Sequence, residues 1–336
     1  MNNDINPKVL ALMKQPQPVQ RTPEWFKARE SRVTASAVSS LLVRDEKTCG
    51  KYIELYGLQD TFDCDNKCCN PYSSKQQFIM SKIKQTFTGS IATYHGQKYE
   101  EIASRIYERL TGAKVLEFGL IQHPTENWIA ASPDGITTEG IMLEIKCPFR
   151  RKITGVPTLY YYQQVQIQLE VCDLEYCDFL ECEIIEVASI KEFLDDSLHG
   201  NIVQQKGMLI QIEDIPDLLE TRSYLYPPKE AFNNPIELDR WVKQTTMAII
   251  EQRDWQVLKE TDTYTVCMND KYQKFTIHTI FWKVPLISCV RIKRDREWWA
   301  NIKDHLHSQW NDVLYFKNNY NGNEVITLEE EDDCLF

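Results

Sequence analysis

Two charged residues inside one short apolar run constrain the fold of this chain more than any other feature. Residues 141–147 are typical of a β-strand, and Glu144 and Lys146 occupy alternate positions in it. Because successive side chains of a strand point to opposite faces, both charges share one face and Ile145 points into the core on the other. Asp134 lies in a Pro-Asp-Gly turn that leads into this strand. Such a turn would bring Asp134 beside Glu144 and create a site with two carboxylates.

The segments around this strand predict an α/β fold. In order, they are a helix, three strands, a helix and a strand, over residues 91–110, 114–121, 128–131, 141–147, 159–171 and 176–187. This order predicts a mixed central sheet flanked by helices.

Composition and pattern divide the chain of 336 residues into four parts. Residues 1–20 are polar and contain three prolines, so we expect a flexible segment there. Residues 21–190 form the predicted core, with a polar insertion at about 43–90. Residues 191–325 predict an α+β extension packed on the core, and residues 326–336 an acidic tail.

The paired carboxylates predict a metal site. Oxygen ligands suit Mg²⁺ or Mn²⁺, so we expect one or two ions bound by Asp134, Glu144 and the backbone carbonyl of Ile145. Lys146, beside the metal, would position a water molecule and help to deprotonate it. These residues together predict metal-assisted hydrolysis of a phosphodiester.

Three further elements fit the same chemistry. Glu100 lies on the long helix before the sheet, where its carboxylate could face the metal from the side. Gln164 lies on the helix that follows the strand. The basic run Arg150, Arg151 and Lys152 directly follows the metal strand and is a candidate for contact with DNA beside the scissile phosphate.

The net charge of −11 argues at first against a nucleic-acid partner. The distribution of charge weakens that argument. Residues 1–160 carry 21 basic and 17 acidic residues, whereas the rest of the chain carries 17 basic and 32 acidic residues. A mildly basic half that contains the candidate site is compatible with DNA binding. The run of cations over residues 291–296 is a second candidate for contact with the DNA backbone.

Five sequence blocks resemble one family in its own order. They cover roughly residues 22–185, and they are Trp25-Phe-Lys-Ala-Arg29 with Val-Thr-Ala-Ser36, Gly96-Gln-Lys-Tyr-Glu100, Ser132-Pro-Asp134-Gly, Leu143-Glu-Ile-Lys-Cys-Pro-Phe149 and Tyr162-Gln-Gln-Val-Gln166. The arrangement resembles the lambda-exonuclease or YqaJ-type viral recombinase family of the PD-(D/E)xK nuclease superfamily. The long C-terminal extension resembles that of such proteins from large DNA viruses.

The resemblance implies a restriction-endonuclease-like core and a role for each matching residue. It implies that Asp134 and Glu144 bind metal, that Glu100 lies at or beside the metal, and that Lys146 is the catalytic lysine. The residues that would hold a terminal 5′-phosphate are Arg29, Ser36, Ser132 and Gln164.

The implied activity is 5′→3′ degradation of one strand of duplex DNA from a free end. The 3′ single-stranded tails would serve recombination, repair or genome processing, with a single-strand annealing or binding protein as partner. The resemblance also implies a ring-shaped homotrimer.

Two other functions stay open at this point. One is a structure-specific endonuclease or a helicase-associated nuclease of the same superfamily, which would need no 5′-phosphate pocket at Arg29 and Ser36. The other is a non-enzymatic DNA-binding or host-interaction protein on a nuclease fold. That reading predicts loss of Asp134, Glu144 or Lys146, and all three are present.

The remaining signals concern location and cysteines. No stretch reaches the roughly eighteen consecutive apolar residues of a membrane span, so we expect no membrane contact and an intracellular protein, in the host cytoplasm or at a viral replication site. Cys49, Cys64, Cys68 and Cys69 could bind a metal, but free thiols in a loop are the simpler interpretation.

Overall fold

The computed structural model describes residues 5–57, 69–84, 89–198, 201–213, 218–251, 256–260, 263–267 and 274–320. The α-helices of this part are α1 (Pro7–Met13), α2 (Pro23–Glu30), α3 (Glu46–Tyr56), α4 (Lys75–Lys84), α5 (Ile91–Thr111), α6 (Leu159–Cys172), α7 (Ile190–Leu194), α8 (Pro235–Glu251) and α9 (Arg296–Asn319). The strands are β1 (Val33–Thr34), β2 (Val115–Leu116), β3 (Ile121–Gln122), β4 (Ile129–Ala131), β5 (Gly135–Thr137), β6 (Ile141–Lys146), β7 (Tyr176–Val187), β8 (Ser197–Leu198), β9 (Asn201–Ile202), β10 (Gln205–Glu213), β11 (Arg222–Leu225), β12 (Gln256–Glu260), β13 (Thr263–Cys267) and β14 (Lys274–Lys293). A 3₁₀ helix, Ala35–Ser40, follows β1.

One large mixed sheet organises the molecule. Its strand order is β11–β10–β14–β7–β6–β5–β2, with β13 paired to β14 and β12 paired to β13. Strands β6 and β7 run parallel, whereas the other described pairs of this sheet are antiparallel. A smaller sheet has the order β1–β4–β3. The predicted α/β class with a mixed sheet and flanking helices is therefore confirmed.

Strand β6 separates two cores. Leu143 and Ile145 pack with the α5 residues Tyr99 and Ile102, and all four side chains are buried. Met142 points the other way, into the core that contains the inner face of α6. Each apolar side chain that is fully buried here stabilises the fold by about 1.5–3 kcal/mol. Since β6 alternates strictly, its charged residues face α6, as the period of two predicts.

The N-terminal segment is packed rather than flexible. Helix α1 begins at Pro7 behind the N-cap Asn6, and it buries Val9 and Leu12 in the main core. The backbone N–H of Asn6 donates to the carbonyl of Thr138 at 2.8 Å. The prediction of a flexible segment is wrong for residues 5–20, because two apolar side chains three apart form a helix face that the core covers. Residues 1–4 lie outside the described part.

The predicted insertion at about 43–90 contains more helix than expected. Helices α3 and α4 both lie within it. Asp45 caps α3 in a capping box with Thr48, whose carbonyl accepts a hydrogen bond from Trp298 Nε1 at 3.1 Å. The helix is therefore fixed by a distant element. Cys64 and Cys68 lie outside the described residues.

The part of the chain beyond residue 190 shares the sheet of the core. Strand β14 pairs with β7 along most of its length, from Phe281 opposite Val187 to Lys293 opposite Tyr176, with one register shift. Helix α9 then packs on α3, α4 and α6. The extension is thus built onto the core by backbone hydrogen bonds. The predicted acidic tail, residues 326–336, lies outside the described part.

Candidate active site

Glu144 is the centre of the candidate site. Its side chain is only 1% exposed, and both carboxylate oxygens accept hydrogen bonds. Gln164 Nε2 donates to Oε1 at 2.6 Å, and Gln168 Nε2 donates to Oε2 at 2.7 Å. Lys146 Nζ also contacts Oε1. These partners hold a buried carboxylate in one orientation, and a buried charge requires such partners.

Asp134 lies directly before β5 and is held against β6. Its Oδ2 accepts a hydrogen bond from the backbone N–H of Ile145 at 2.7 Å. Burial raises the pKa of Asp134, and the negative charges of Glu144 and Glu100 raise it further. The turn before β5 therefore brings three carboxylates into one electrostatic neighbourhood.

Glu100 approaches from helix α5. It lines a cavity of about 900 Å³ together with Asp134 and Ile145. Its Oε2 accepts a hydrogen bond from Arg21 Nη2 at 2.6 Å. Burial raises the pKa of Glu100, and the ion pair with Arg21 opposes that shift. Glu100 therefore lies at the cavity wall, where the guanidinium of Arg21 is paired with it.

The carboxylates suit a hard cation. Oxygen donors are the ligands that Mg²⁺ and Mn²⁺ prefer, and Mg²⁺ keeps several water ligands when one or two carboxylates bind it. In the part of the chain that the structure describes, no three His, Cys, Asp or Glu side chains form a ready metal-binding group. Asp134 and Glu144 supply oxygens of the kind that such an ion would take, and water would complete its coordination.

Lys146 is held as a cation by its surroundings. Burial lowers the pKa of Lys146, but the charge of Glu144, with Tyr161 and Asp134, more than reverses this effect, so the net shift is upward. Its Nζ lies 4.8 Å from the ring centroid of Tyr161, which adds a cation–π contact. The ammonium group is therefore fixed beside Glu144.

The residues assigned by resemblance to a 5′-phosphate pocket lie on neighbouring elements. The guanidinium of Arg29 stacks 4.1 Å from the ring centroid of Trp25, and Trp25 Nε1 donates to Ser132 Oγ at 2.9 Å. Ser132 is linked onward, because its carbonyl accepts a hydrogen bond from Gln168 Nε2 at 3.4 Å. Trp25 and Gln168 thus connect Arg29 to the Glu144 network.

Ser36 is exposed at the start of the 3₁₀ helix. Its hydroxyl lies 3.5 Å from that of Thr34. Thr34 is opposite Ala130 in the parallel pair β1–β4, and Ser36 and Ser132 each come two residues after these paired positions. The two serines therefore leave neighbouring strands at the same edge.

The two basic runs differ in their partners. Arg150 and Lys152 are exposed, whereas Arg151 forms an ion pair with the fully buried Glu181. The second run has four cations, and three of them pair with acidic residues of the α6–β7 region: Arg291 with Asp178, Arg294 with Glu170 and Asp173, and Arg296 with Glu175. Most of the charge of the second run is consequently neutralised within the protein.

Three residues of the site escaped the sequence interpretation. Gln168 follows Gln164 by four residues, which is the spacing of one helix face, and that spacing was the available signal. Trp25 was visible only as part of a motif. Arg21 carries no signal in the sequence, because its position depends on how residues 17–22 cross the strand edge.

The cysteines of the insertion are only partly described. Cys49 and Cys69 are buried thiols, and they hydrogen-bond to each other. That bond lowers the pKa of Cys49 to about 7 and raises the pKa of Cys69.

A family comparison identifies the part of the chain that carries these residues. Residues 24–175 match the model of the YqaJ-like viral recombinase domain. The resemblance noted in the sequence is therefore confirmed over this part of the chain. No helix in the described ranges has the length and apolar composition needed to cross a membrane.

Individual relatives were found by sequence and by structure. An uncharacterized protein of Acanthamoeba polyphaga mimivirus is 29% identical over 347 residues, which cover 93% of this chain. The match spans 55% of the length of that relative.

Two solved exonuclease structures resemble the chain loosely. An alkaline exonuclease from Laribacter hongkongensis, LHK-Exo, superposes with a TM-score of 0.44 and 19% identity over 88% of this chain and 95% of the other. A phage-related exonuclease from Haemophilus somnus gives a TM-score of 0.38 and 12% identity over 84% and 95%. The family resemblance rests on the domain match.

Proposed function

We propose that this protein is a metal-dependent DNA exonuclease that degrades one strand of linear duplex DNA in the 5′→3′ direction. The observation that carries the proposal is the environment of Glu144, which is held at once by Lys146, Gln164 and Gln168 and whose charge acts on Asp134, a residue of the cavity wall. A structural ion pair alone would not require a second buried carboxylate next to the first. The match of residues 24–175 to the YqaJ-like viral recombinase domain supports the same function.

Asp134 and Glu144 are the proposed ligands of Mg²⁺ or Mn²⁺, with Glu100 and the carbonyl of Ile145 as additional donors. A cation bound by these oxygens supplies positive charge at the scissile phosphate and lowers the pKa of a bound water molecule. The protein's own contribution is orientation. Gln164 and Gln168 fix the plane of the Glu144 carboxylate, and Lys146 presents its ammonium group to the attacking water and the phosphate.

Recognition of a 5′-phosphate is proposed for Arg29 with Ser36, Ser132 and Gln164. The guanidinium of Arg29 stacks on Trp25 and forms no ion pair with a described residue, so its charge is free for a phosphate. A planar guanidinium next to hydroxyl groups is suited to charge-assisted hydrogen bonds with phosphate oxygens. Holding the chain end also fixes which phosphodiester reaches the metal site.

The path of the DNA is proposed to run over the exposed cations Arg150 and Lys152. Both follow β6 directly, so they lie on the chain that leaves the metal site. Arg151 stabilises this loop from inside through Glu181. The products would be 3′ single-stranded tails used in recombination, repair or genome processing. A single-strand annealing protein as partner and a ring-shaped trimer are further parts of the proposal.

One assay separates this function from its main alternative. Linear duplex labelled at its ends and a closed circular duplex are incubated with the protein and Mg²⁺, with EDTA as the metal-free control. We expect stepwise release of nucleotides from the 5′ ends of the linear substrate and no cutting of the circle. Cutting of the circle would instead support a structure-specific endonuclease.

A further inference from the structure

Arg21 is held in a backbone conformation that its residue type disfavours. Its φ of 67° lies in the left-handed region, where a side chain crowds the backbone. Strain of this kind persists only where the surrounding structure imposes it, and it clusters at functional sites.

Several hydrogen bonds impose this conformation. Gln20 Nε2 donates to the carbonyls of Phe118 and Pro133 at 3.0 and 2.9 Å. The amide of Leu120 donates to the carbonyl of Pro18 at 3.0 Å. A Cβ atom at Gly119 would lie 2.1 Å from the same carbonyl oxygen, so the close approach requires glycine there. Residues 17–22 are thus strapped to the strand edge beside the site.

The attachment of residues 17–22 brings Arg21 into the cavity beside Glu100. Arg21 lines the cavity of about 900 Å³ with Glu100 and Asp134, and its Nη2 lies 2.6 Å from Glu100 Oε2. Its side chain is 46% exposed on the cavity side, and that of Glu100 is 31% exposed. The pair is therefore accessible to an ion that enters from solvent.

The other cations of the cavity have their own acidic partners. Arg105 pairs with Glu101 at 2.6 Å, and Lys229 pairs with Glu108 at 2.8 Å. Both pairs lie further along α5, away from Asp134. Of the cations described in the cavity lining, Arg21 is the one that binds a carboxylate of the candidate metal site.

We propose that Arg21 is the resident counter-cation of Glu100 and competes with the divalent cation for that carboxylate. Arg21 thereby sets the affinity of the site for metal. This inference rests on the proposed function, because it takes Glu100 as a residue of the metal site. In the absence of a divalent cation the guanidinium neutralises Glu100 and limits repulsion among three neighbouring carboxylates. Removing the guanidinium leaves Glu100 free for the ion and removes a positive charge from its neighbourhood.

The test is a calorimetric titration of the DNA-free protein with Mn²⁺. For Arg21→Gln we expect Mn²⁺ to bind about ten-fold more tightly than to the wild type, since one nearby unit charge is removed. Arg240→Gln is the matched control, because Arg240 forms a comparable ion pair with Glu237 on α8. That control should bind Mn²⁺ as the wild type does.

Two further variants keep the test decisive. Arg21→Gly removes the guanidinium and accepts the left-handed φ without strain. It should therefore match Arg21→Gln in Mn²⁺ affinity and melt at a higher temperature than Arg21→Gln. In a Glu100→Gln background, Arg21→Gln should no longer change Mn²⁺ affinity, because the two side chains act as one pair.

The outcomes distinguish this inference from the proposed function. Equal or weaker Mn²⁺ binding by both Arg21 variants, with normal binding by the wild type, would overturn the competition and leave the metal site intact. Binding of Mn²⁺ by the Arg21 variants alone would support the competition in its strongest form. Failure of every variant and of the wild type to bind Mn²⁺ would overturn both the metal-dependent function and this inference.

Discussion

Two groups of arginines have opposite surroundings, although both look basic in the sequence. Arg291 and Arg294 face carboxylates of the α6–β7 region and form multiple ion pairs with them. Arg29 stacks on Trp25, and no described carboxylate pairs with it. A density of cations along the chain therefore does not locate a phosphate-binding surface. The partner that the fold places opposite each cation decides whether its charge is available.

The same contrast applies to the acidic run between residues 170 and 196. In the sequence it is typical of a solvated face. In the structure Asp178 is buried and accepts hydrogen bonds from both Arg291 and Tyr107. The negative charge of the C-terminal half is thus partly balanced by its own arginines. The net charge of −11 consequently says little about the site.

The largest effect is expected from Lys146→Ala. Loss of a charged group that contacts Glu144 and, in the proposed mechanism, the substrate should lower DNA digestion by about 10³-fold or more. DNA binding should be largely retained, because the other cations remain. Digestion of end-labelled duplex and a gel-shift titration measure the two properties. Lys152→Ala is the control, with a modest effect expected, and full activity of Lys146→Ala would exclude this mechanism.

Arg29→Ala should impair recognition of the 5′ end of the DNA rather than the hydrolysis step. We expect the rate on 5′-phosphorylated ends to fall by about 10–100-fold, as expected for the loss of a charge-assisted phosphate contact. The rate on 5′-hydroxyl ends should change little. The ratio of the two rates is the measurement, and Arg291→Ala is the control arginine. An unchanged ratio in Arg29→Ala would remove Arg29 from the pocket.

Arg291→Ala tests whether the paired arginines of residues 291–296 stabilise the fold rather than bind DNA. Its removal leaves the buried carboxylate of Asp178 with Tyr107 as a remaining partner, so we expect a loss of about 1–3 kcal/mol in the free energy of unfolding. Urea denaturation measures this loss. Affinity for duplex DNA should stay the same, and a clear loss of DNA affinity would make the second basic run a DNA-binding surface after all.

The smallest effect concerns Lys82, which supports the helix that carries Arg29. Lys82 Nζ donates to the carbonyls of Arg29 and Arg32 at 2.5 and 2.8 Å. Burial, together with the charges of Arg29 and Lys317, lowers the pKa of Lys82 to about 7. The unfolded chain then binds more protons than the native protein between this value and the ordinary pKa of lysine.

Stability from this group should therefore rise with pH above 7, by at most about 1.4 kcal/mol per pH unit. Lys82→Met should lose that slope. Urea denaturation of the wild type and of Lys82→Met at several pH values between about 7 and 10 provides the measurement. Identical slopes would show that Lys82 stays charged in the native state.

Much of the site could be read from the sequence because it depends on short-range periodicity. Strand β6 and helix α6 follow directly from their patterns, and these two elements fix the relation of Glu144, Lys146 and Gln164. Gln168 was accessible by the same logic, one helix turn further on. The mixed sheet followed from the order of helices and strands.

The rest depends on contacts between distant segments. Helix α3 mixes polar and apolar residues, and the hydrogen bond from Trp298 fixes it to a distant helix. The packing of residues 5–20 and the position of Arg21 depend on the edge formed by Phe118 and Pro133. The neutralisation of the second basic run depends on the pairing of β14 with β7. None of these relations leaves a local pattern in the sequence.

The most direct test of the account is the digestion of 5′-phosphorylated linear duplex by Glu144→Gln in the presence of Mg²⁺. Glutamine has nearly the shape of the carboxylate but lacks its charge, so it cannot serve as an anionic ligand. We predict that digestion is lost while the protein stays folded and binds DNA. Digestion at the wild-type rate would contradict the assignment of Glu144 as the centre of the catalytic site.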